Sequence, residues 1–245
     1  MNDIIEKVCF PQNWDVLKMR QCFSFGKGLS ITKDDLVEEG IPVISYGQVH
    51  AKENTGTGLS DELYRYVPES FLKTGKSCLV HKNDFIFADT SEDYAGVGNC
   101  AFIDNDKTTI FAGYHSIIAR PTSNALYPKY LAYLFLTDLW RDQIRANVMG
   151  IKVFSITQQL LRDTYICVPP VSEQKSIVEV LDEHCSKLDK ITANLERQIE
   201  RLQKILDKRN CHKRIRSFKT NEGQRNFLDW SDSRTLENQS TSLFG

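Results

Sequence analysis

The chain has 245 residues, 41% hydrophobic and 26% charged, with a formal net charge of −1. This composition fits one globular domain of about 150–200 residues with an appendage, able to bury a core without metal or disulfide staples. It excludes a global basic field and any run near the ~18 apolar residues of a membrane span. The seven cysteines contain no CxxC spacing, which excludes a disulfide framework or a cysteine-rich zinc site. The first fourteen residues carry Asp3 and Glu6 around a short apolar stretch, unlike a secretory leader, so a cytoplasmic protein is expected.

Over residues 14–170, short β-branched and aromatic runs alternate with turn residues. Residues 41–46, entered from Gly40 with Pro42 near the first position, read as a strand. Further strands are predicted at 78–80, 84–88, 98–103 and 116–120, the last ended by Pro121. Glycine-rich loops fall at 54–58 and 95–98. A helix is predicted from Pro128 to about Val148, where Tyr130, Leu131, Leu134, Phe135, Leu139 and Ile144 recur near helical spacing. A shorter helix is predicted over 156–162, capped by Ser155. Many short strands with few helices define an α+β class: a mixed α/β domain over residues 1–170, followed by a long helix.

Pro169 and Pro170 stop the domain pattern. Ser172 is the expected N-cap of the next helix, with Glu173 at the positive end of its dipole and Lys175 where a full capping box has Glu or Gln. No Gly or Pro follows until Gly223. The apolar period there is seven. Leu181, Leu188, Leu195 and Leu202 form one column, and Ile177, His184, Ile191, Gln198 and Ile205 the other. Alternating steps of three and four define a coiled-coil seam, in which His184 and Gln198 set register or orientation. Four heptads make an arm of about 50 Å. A lone helix cannot bury such a stripe, so the arm, assigned to 171–209, must pack on a second copy, a partner or the domain body. Lys208, Arg209, Lys213, Arg214, Arg216 and Lys219 crowd against a single acid, Asp207. They read either as a phosphate-contacting segment or as cations suited to a helix C-terminus. The basic, then polar, stretch 210–245 is read as disordered.

Catalytic motifs are missing. Gly26-Lys27-Gly28 lacks P-loop spacing, Gly96-Val97-Gly98 runs into a strand, and His50, His81, His115, His184 and His212 form no metal-binding pair. A Cys100/His115 dyad is discounted because Cys100 falls in mid-strand. Asp89, Glu92 and Asp93 read as a loop tip around Thr90-Ser91 rather than an acid–base pair. No catalysis and no metal are expected on this chain.

Four stretches carry a family resemblance. They are Gly40-Ile41-Pro42-Val43-Ile44 with Tyr46-Gly47-Gln48-Val49; the turn His81-Lys82-Asn83-Asp84 leading into Phe85-Ile86-Phe87-Ala88; Gly150-Ile151-Lys152 before Ile156; and Val168-Pro169-Pro170-Val171-Ser172-Glu173-Gln174-Lys175-Ser176-Ile177 running on to Leu181. They resemble the specificity (S) subunits of type I restriction–modification systems. The last is the most specific, similar to that family's Pro-Pro-x-x-Glu-Gln-x-x-Ile-x-x-x-Leu junction between recognition domain and helical spacer. Asn83 stands where the family usually has glycine. The resemblance covers about residues 14–206.

It implies a non-catalytic DNA-recognition subunit. A full S subunit carries two recognition domains and two antiparallel spacer helices, each domain reading half of a split site. This chain has room for one set, so a half-length or truncated subunit acting with a second copy of itself is expected. The implied partners are double-stranded DNA, a methyltransferase subunit and a restriction/translocase subunit. S-adenosylmethionine, ATP and Mg would reside on those partners and no cofactor here. The Asn-Pro-Pro-aromatic motif of adenine methyltransferases is missing, since Val168 stands in the Asn position.

A stiff 50 Å helix spans roughly fifteen base pairs, a ruler between half-sites, and two copies about a twofold would read a palindromic split site. Lys27, Gln48, His50, Thr90, Ser91, Tyr114, His115, Lys152 and Ser155 are the candidates for base or phosphate contact. Gln48 suits bidentate pairing with adenine, whereas Lys27 and Lys152 suit phosphates. Two alternatives stay open: a dimeric DNA-binding regulator, for which no helix-turn-helix is evident, and a coiled-coil assembly adaptor.

Overall fold

The computed structural model describes residues 3–106, 108–148, 150 and 152–221, with side-chain surroundings given for residues 4–208. The strands are β1 (Asp15–Lys18), β2 (Phe23–Lys27), β3 (Ile41–Ile44), β4 (Arg65–Val67), β5 (Leu79–Val80), β6 (Phe85–Ala88), β7 (Thr90–Ser91), β8 (Cys100–Phe102), β9 (Ile110–Ala112), β10 (Ser116–Pro121), β11 (Phe154–Ser155) and β12 (Tyr165–Val168). The helices are α1 (Asp3–Glu6), α2 (Met19–Cys22), α3 (Tyr46–Val49), α4 (Phe71–Thr74), α5 (Pro128–Phe135), α6 (Asp138–Arg145), α7 (Gln158–Asp163) and α8 (Val171–Asn221). The chain divides into two compact units that meet between Asp182 and Glu183, so the first turns of α8 belong to the recognition domain.

Two four-stranded sheets build that domain, one antiparallel in the order β2-β10-β6-β8 and one in the order β4-β3-β9-β5 with a parallel β3–β9 pair. β6 explains how they stack. Successive side chains of a strand point to opposite faces, and Phe85 and Phe87 enter one buried cluster while Ile86 and Ala88 enter another. The first cluster lies against α5 and α6, where Phe135 meets Phe87 at 5.3 Å and Trp140 at 4.5 Å between ring centroids. The second lies between the two sheets and adds Ile44, Ile103, Ile110 and Ile118. A third cluster, with Leu29, Val43, Val67 and Phe111, covers the far face of the second sheet. A strand buried on both faces has no polar alternation, which is why residues 85–88 are apolar throughout.

The predicted strands at 41–46, 78–80, 84–88, 98–103 and 116–120 correspond to β3, β5, β6, β8 and β10, with shifted ends. β10 runs through Pro121, which pairs with Phe23. The single helix predicted over 128–148 is two. Thr137 ends α5 by donating its hydroxyl to Leu134 O at 2.7 Å and caps α6 by accepting from Trp140 N. The next cap is also displaced: Thr157, not Ser155, accepts from Leu160 N, and Ser155 lies in β11 opposite Thr90.

The Pro-Pro junction is a hydrogen-bonded joint. Helix α8 begins at Val171, one residue ahead of the expected Ser172 cap, with Pro170 O accepting from Glu173 N and Gln174 N. Gln174 is fully buried. Its Oε1 accepts from Tyr127 N at 2.7 Å, and its Nε2 donates to Ala125 O and Pro169 O at 2.8 and 2.7 Å. Glu173 accepts from Trp14 Nε1 at 3.2 Å and Asn13 Nδ2 at 3.3 Å. Ile177 packs on the domain core, and Leu181 lines an apolar groove of about 350 Å³ with Phe10, Trp14, Tyr133 and Leu139. The start of the expected seam is therefore occupied by the domain itself.

From Glu183 onward α8 is its own unit and its backbone stays helical to Asn221, past the expected Arg209 limit. Leu188, Ile191, Leu195, Leu202 and Ile205 are between 50% and 61% exposed, and Ile199 and Leu206, outside the predicted columns, are 55% exposed. The side chains from Arg209 on, including most of the basic cluster, and residues 222–245 lie outside the described residues. Among the described residues no helix is long and apolar enough to cross a membrane.

Candidate nucleic-acid interface

One end of the domain gathers most of the predicted contact residues. The last residue of β2, Lys27, the turn Tyr114-His115 between β9 and β10, and the segment from Ile156 to Gln159 line a concavity of about 630 Å³. Close backbone approach makes it: a Cβ on Gly28 would stand 1.8 Å from Gly113 O, and one on Gly113 would stand 2.0 Å from Ser45 Oγ. Only glycine lets the Lys27 strand end and the Tyr114 turn come together. Beside them, Ser155 is exposed on β11, opposite half-buried Thr90 of β7, and exposed Lys152 stands two residues ahead of β11.

His115 is the most constrained side chain here. Its φ of 53° is left-handed, which a residue other than glycine adopts only when its surroundings impose it. Asp89 N donates to His115 O at 3.1 Å, and the Asp89 carboxylate meets His115 Nδ1 at 3.1 Å. The imidazole sits edge-on to Tyr46 and Tyr114, at 5.6 and 5.8 Å between centroids. Its side chain is nevertheless 56% exposed.

Three predicted contacts are spent inside the domain. His50 Nε2 donates to Thr90 O at 2.9 Å and its Nδ1 accepts from Asn99 Nδ2 at 3.2 Å, so both ring nitrogens are engaged. Ser91 is buried, its hydroxyl donating to Asp93 O at 2.7 Å, and cannot reach a partner. Gln48 folds back to cap its own short helix, Oε1 accepting from Ser45 N at 3.2 Å, which removes the acceptor that bidentate adenine pairing requires. In each case a nearby backbone group takes the side chain: Ser45 N at the start of α3 for Gln48, Thr90 O for His50 and Asp93 O for Ser91. Sequence reasoning passed over Tyr46 and Gln159 and gave Asp89 to a loop tip. Tyr46 lay within a quoted family stretch, and Asp89 directly precedes the predicted Thr90, but neither position carried a signal of its partner.

The far side of the domain is held by an ion pair. Arg120 Nε donates to Asp84 Oδ1 and Oδ2 at 2.9 and 3.0 Å and Nη2 to Oδ2 at 2.7 Å, and Asp84, 2% exposed, also accepts from His81 N. The carboxylate beside it raises the Arg120 pKa. The turn before Asp84 passes through Asn83 at φ 78°, so the place where the S-subunit family usually has glycine is a left-handed position that asparagine also tolerates. Burial pushes the Cys100 thiol up to about 12, which leaves it no nucleophilic thiolate near neutral pH. Among the described residues no group of His, Cys, Asp and Glu side chains could hold a metal ion.

A mixed α/β domain followed by a long helix that starts at a Pro-Pro-x-x-Glu-Gln joint is the arrangement the resemblance to S subunits implies. The model of the type I restriction modification DNA specificity domain matches residues 11–201, and the chain belongs to that family. It is 23% identical over 197 residues to the putative type I restriction enzyme MjaX specificity subunit of Methanocaldococcus jannaschii, covering 79% of this chain and 44% of that protein. It is 21% identical over 190 residues to the type I restriction enzyme EcoKI specificity subunit of Escherichia coli, covering 76% of this chain and 39% of that one. The chain thus spans less than half the length of these curated relatives. Among solved structures, a chain from a study of complex assembly and conformational transition in the type I R-M system superposes with a TM-score of 0.56 at 18% identity, over 80% of this chain and 45% of that one. The S subunit of a type I restriction-modification system from M. genitalium gives 0.51 at 15% identity, over 76% and 43%. At these identities the structural likeness concerns the fold.

Proposed function

We propose that this chain is a DNA-reading subunit of a type I restriction–modification complex, that it recognises one half of a bipartite site, and that it performs no chemistry itself. The observation that carries this reading is the family match across residues 11–201, which includes both the recognition domain and the start of the arm. Its physical support is the concave, polar end of the domain. Lys27 at the end of β2 and the turn Tyr114-His115 line it, and exposed Ser155 on β11 and Lys152 just ahead of it add polar tips of the kind that meet phosphates and base edges. Thr90, half-buried beside them, contributes at the rim.

The arm supplies the second element of the proposal. Leu188, Ile191, Leu195, Ile199, Leu202 and Leu206 leave a half-exposed apolar stripe that a single helix cannot bury. A second copy, packed antiparallel, would cover it and bring a second recognition domain to the other half-site. The methyltransferase and restriction/translocase subunits would carry S-adenosylmethionine, ATP and Mg, and double-stranded DNA is the substrate they share. A cytoplasmic location follows from that role.

The test is domain exchange. The full chain, co-purified with its methyltransferase subunit, is presented with a random duplex library at fixed salt, and the selected motif is sequenced. Replacing residues 14–170 by those of another specificity subunit should replace the motif. A motif that survives the exchange unaltered would leave the chain as an assembly adaptor and end this reading.

A further inference from the structure

The family match does not say which side chain reads which base. Among the described residues, His115 has a geometry that points to one chemistry. A carboxylate only accepts hydrogen bonds, so Asp89 Oδ1, 3.1 Å from His115 Nδ1, holds the ring proton on Nδ1. In the neutral imidazole the other nitrogen is then an acceptor. Asp89 N donating to His115 O at 3.1 Å ties the same two residues through the backbone. Tyr46 and Tyr114, edge-on at 79° and 71° and themselves 5.5 Å apart, pack together against the ring. The side chain stays 56% exposed, and His115 lines a concavity together with Lys27 and Gln159.

We infer that His115, oriented by Asp89, is a specificity-determining residue whose Nε2 accepts a hydrogen bond from the exocyclic amine of an adenine or a cytosine in the major groove. This rests on the DNA-reading function proposed above. In the major groove only adenine N6 and cytosine N4 donate, whereas guanine N7 and O6 and thymine O4 accept. A fixed acceptor therefore welcomes the amine-bearing bases and faces the other two with lone pair against lone pair. Preorganisation matters because a free imidazole can exchange tautomers and serve either class; the Asp89 bond fixes the tautomer, and the left-handed turn at φ 53° and the packed tyrosine rings fix where the ring sits. Lys27, exposed on the same wall, is placed to hold a phosphate and set the register of the base.

Asp89 is a positioning residue in this scheme, acting only through the ring it orients. His115→Phe keeps an aromatic ring against Tyr46 and Tyr114 and removes the acceptor. Asp89→Asn keeps the backbone tie and allows the opposite tautomer, with a donor at Nε2. The same library selection, run on the full chain with the methyltransferase subunit, reads each position as a base pair, A·T and G·C each offering one amine, so the test lies in what the two variants change at a single position. His115→Phe should lower discrimination at that position about fivefold to tenfold, the value of one hydrogen bond, and leave the other positions intact. Asp89→Asn should weaken the same position or change the base pair preferred there. A motif untouched by His115→Phe, or an Asp89→Asn variant with unchanged preference, overturns the inference while the DNA-reading function stands. A wild-type protein that selects no motif overturns both.

Discussion

Replacing Gln174 with alanine would remove three hydrogen bonds from the joint between recognition domain and arm. The amide is fully buried and satisfied on every side it can use, by Tyr127 N, Ala125 O and Pro169 O, at 2.7 to 2.8 Å. Each bond contributes about 1 kcal/mol net, and the partners left behind lose their only amide without gaining water, which brings the total to about 3–4 kcal/mol. For a domain of this size urea slopes are about 2 kcal/mol/M, so the midpoint of a urea titration on the full chain should fall by about 1.5–2 M. Gln174→Glu is the sharper control. It retains an acceptor for Tyr127 N but sets a carboxylate oxygen against two carbonyls, so it should destabilise at least as much. If the alanine midpoint stays within about 0.3 M of the parent at the same slope, the joint is not held by this amide and the physical account of the junction fails.

Three other perturbations follow from the same packing. Arg120→Ala leaves the buried Asp84 carboxylate with His81 alone, its backbone N and, at 3.7 Å, its ring Nδ1, and should cost about 2–3 kcal/mol in thermal unfolding, with Arg120→Lys recovering only part because the two-pronged contact is lost. Asn83→Gly should be neutral or mildly stabilising, since φ is 78° there, whereas Asn83→Val should lose about 1–2 kcal/mol; equal melting temperatures for the two would contradict the left-handed turn. Leu188→Asp combined with Leu195→Asp should abolish concentration-dependent self-association in sedimentation velocity without altering the unfolding of the recognition domain, because both side chains lie beyond Asp182 and are more than half exposed. Sedimentation identical to the parent would remove the second copy from the proposal.

Parts of this architecture can be read directly from residue order. Strands β3, β6 and β10 are legible because burial on both faces demands consecutive apolar residues, as at Phe85-Ile86-Phe87. Strands β1 and β12 are not, because Val16 and Cys167 pair across most of the domain and each run is short and mixed. Likewise the apolar period over 128–148 is continuous, and only the Thr137 side chain, bonding to the backbone on both sides, divides it. At the candidate interface, residue type and loop position suffice to nominate Lys27, Tyr114, His115, Lys152 and Ser155. They do not reveal that His50 is taken by Thr90 and Asn99, 40 and 49 positions away, nor does residue type alone decide that Ser91 and Gln48 turn to Asp93 and Ser45 close by in the chain.

The sequence by itself determined the family, through the Pro-Pro-x-x-Glu-Gln junction, and the presence of a long amphipathic arm, because proline stiffness and helical periodicity are local properties of the chain. Tertiary structure alone decided where the arm begins to be free. Gln174, Ile177 and Leu181 are drawn into the recognition domain, and the unpartnered stripe starts only beyond Asp182. It also decided which polar side chains remain exposed and uncommitted, because a buried or edge-facing group must satisfy its hydrogen bonds with whatever the fold sets beside it.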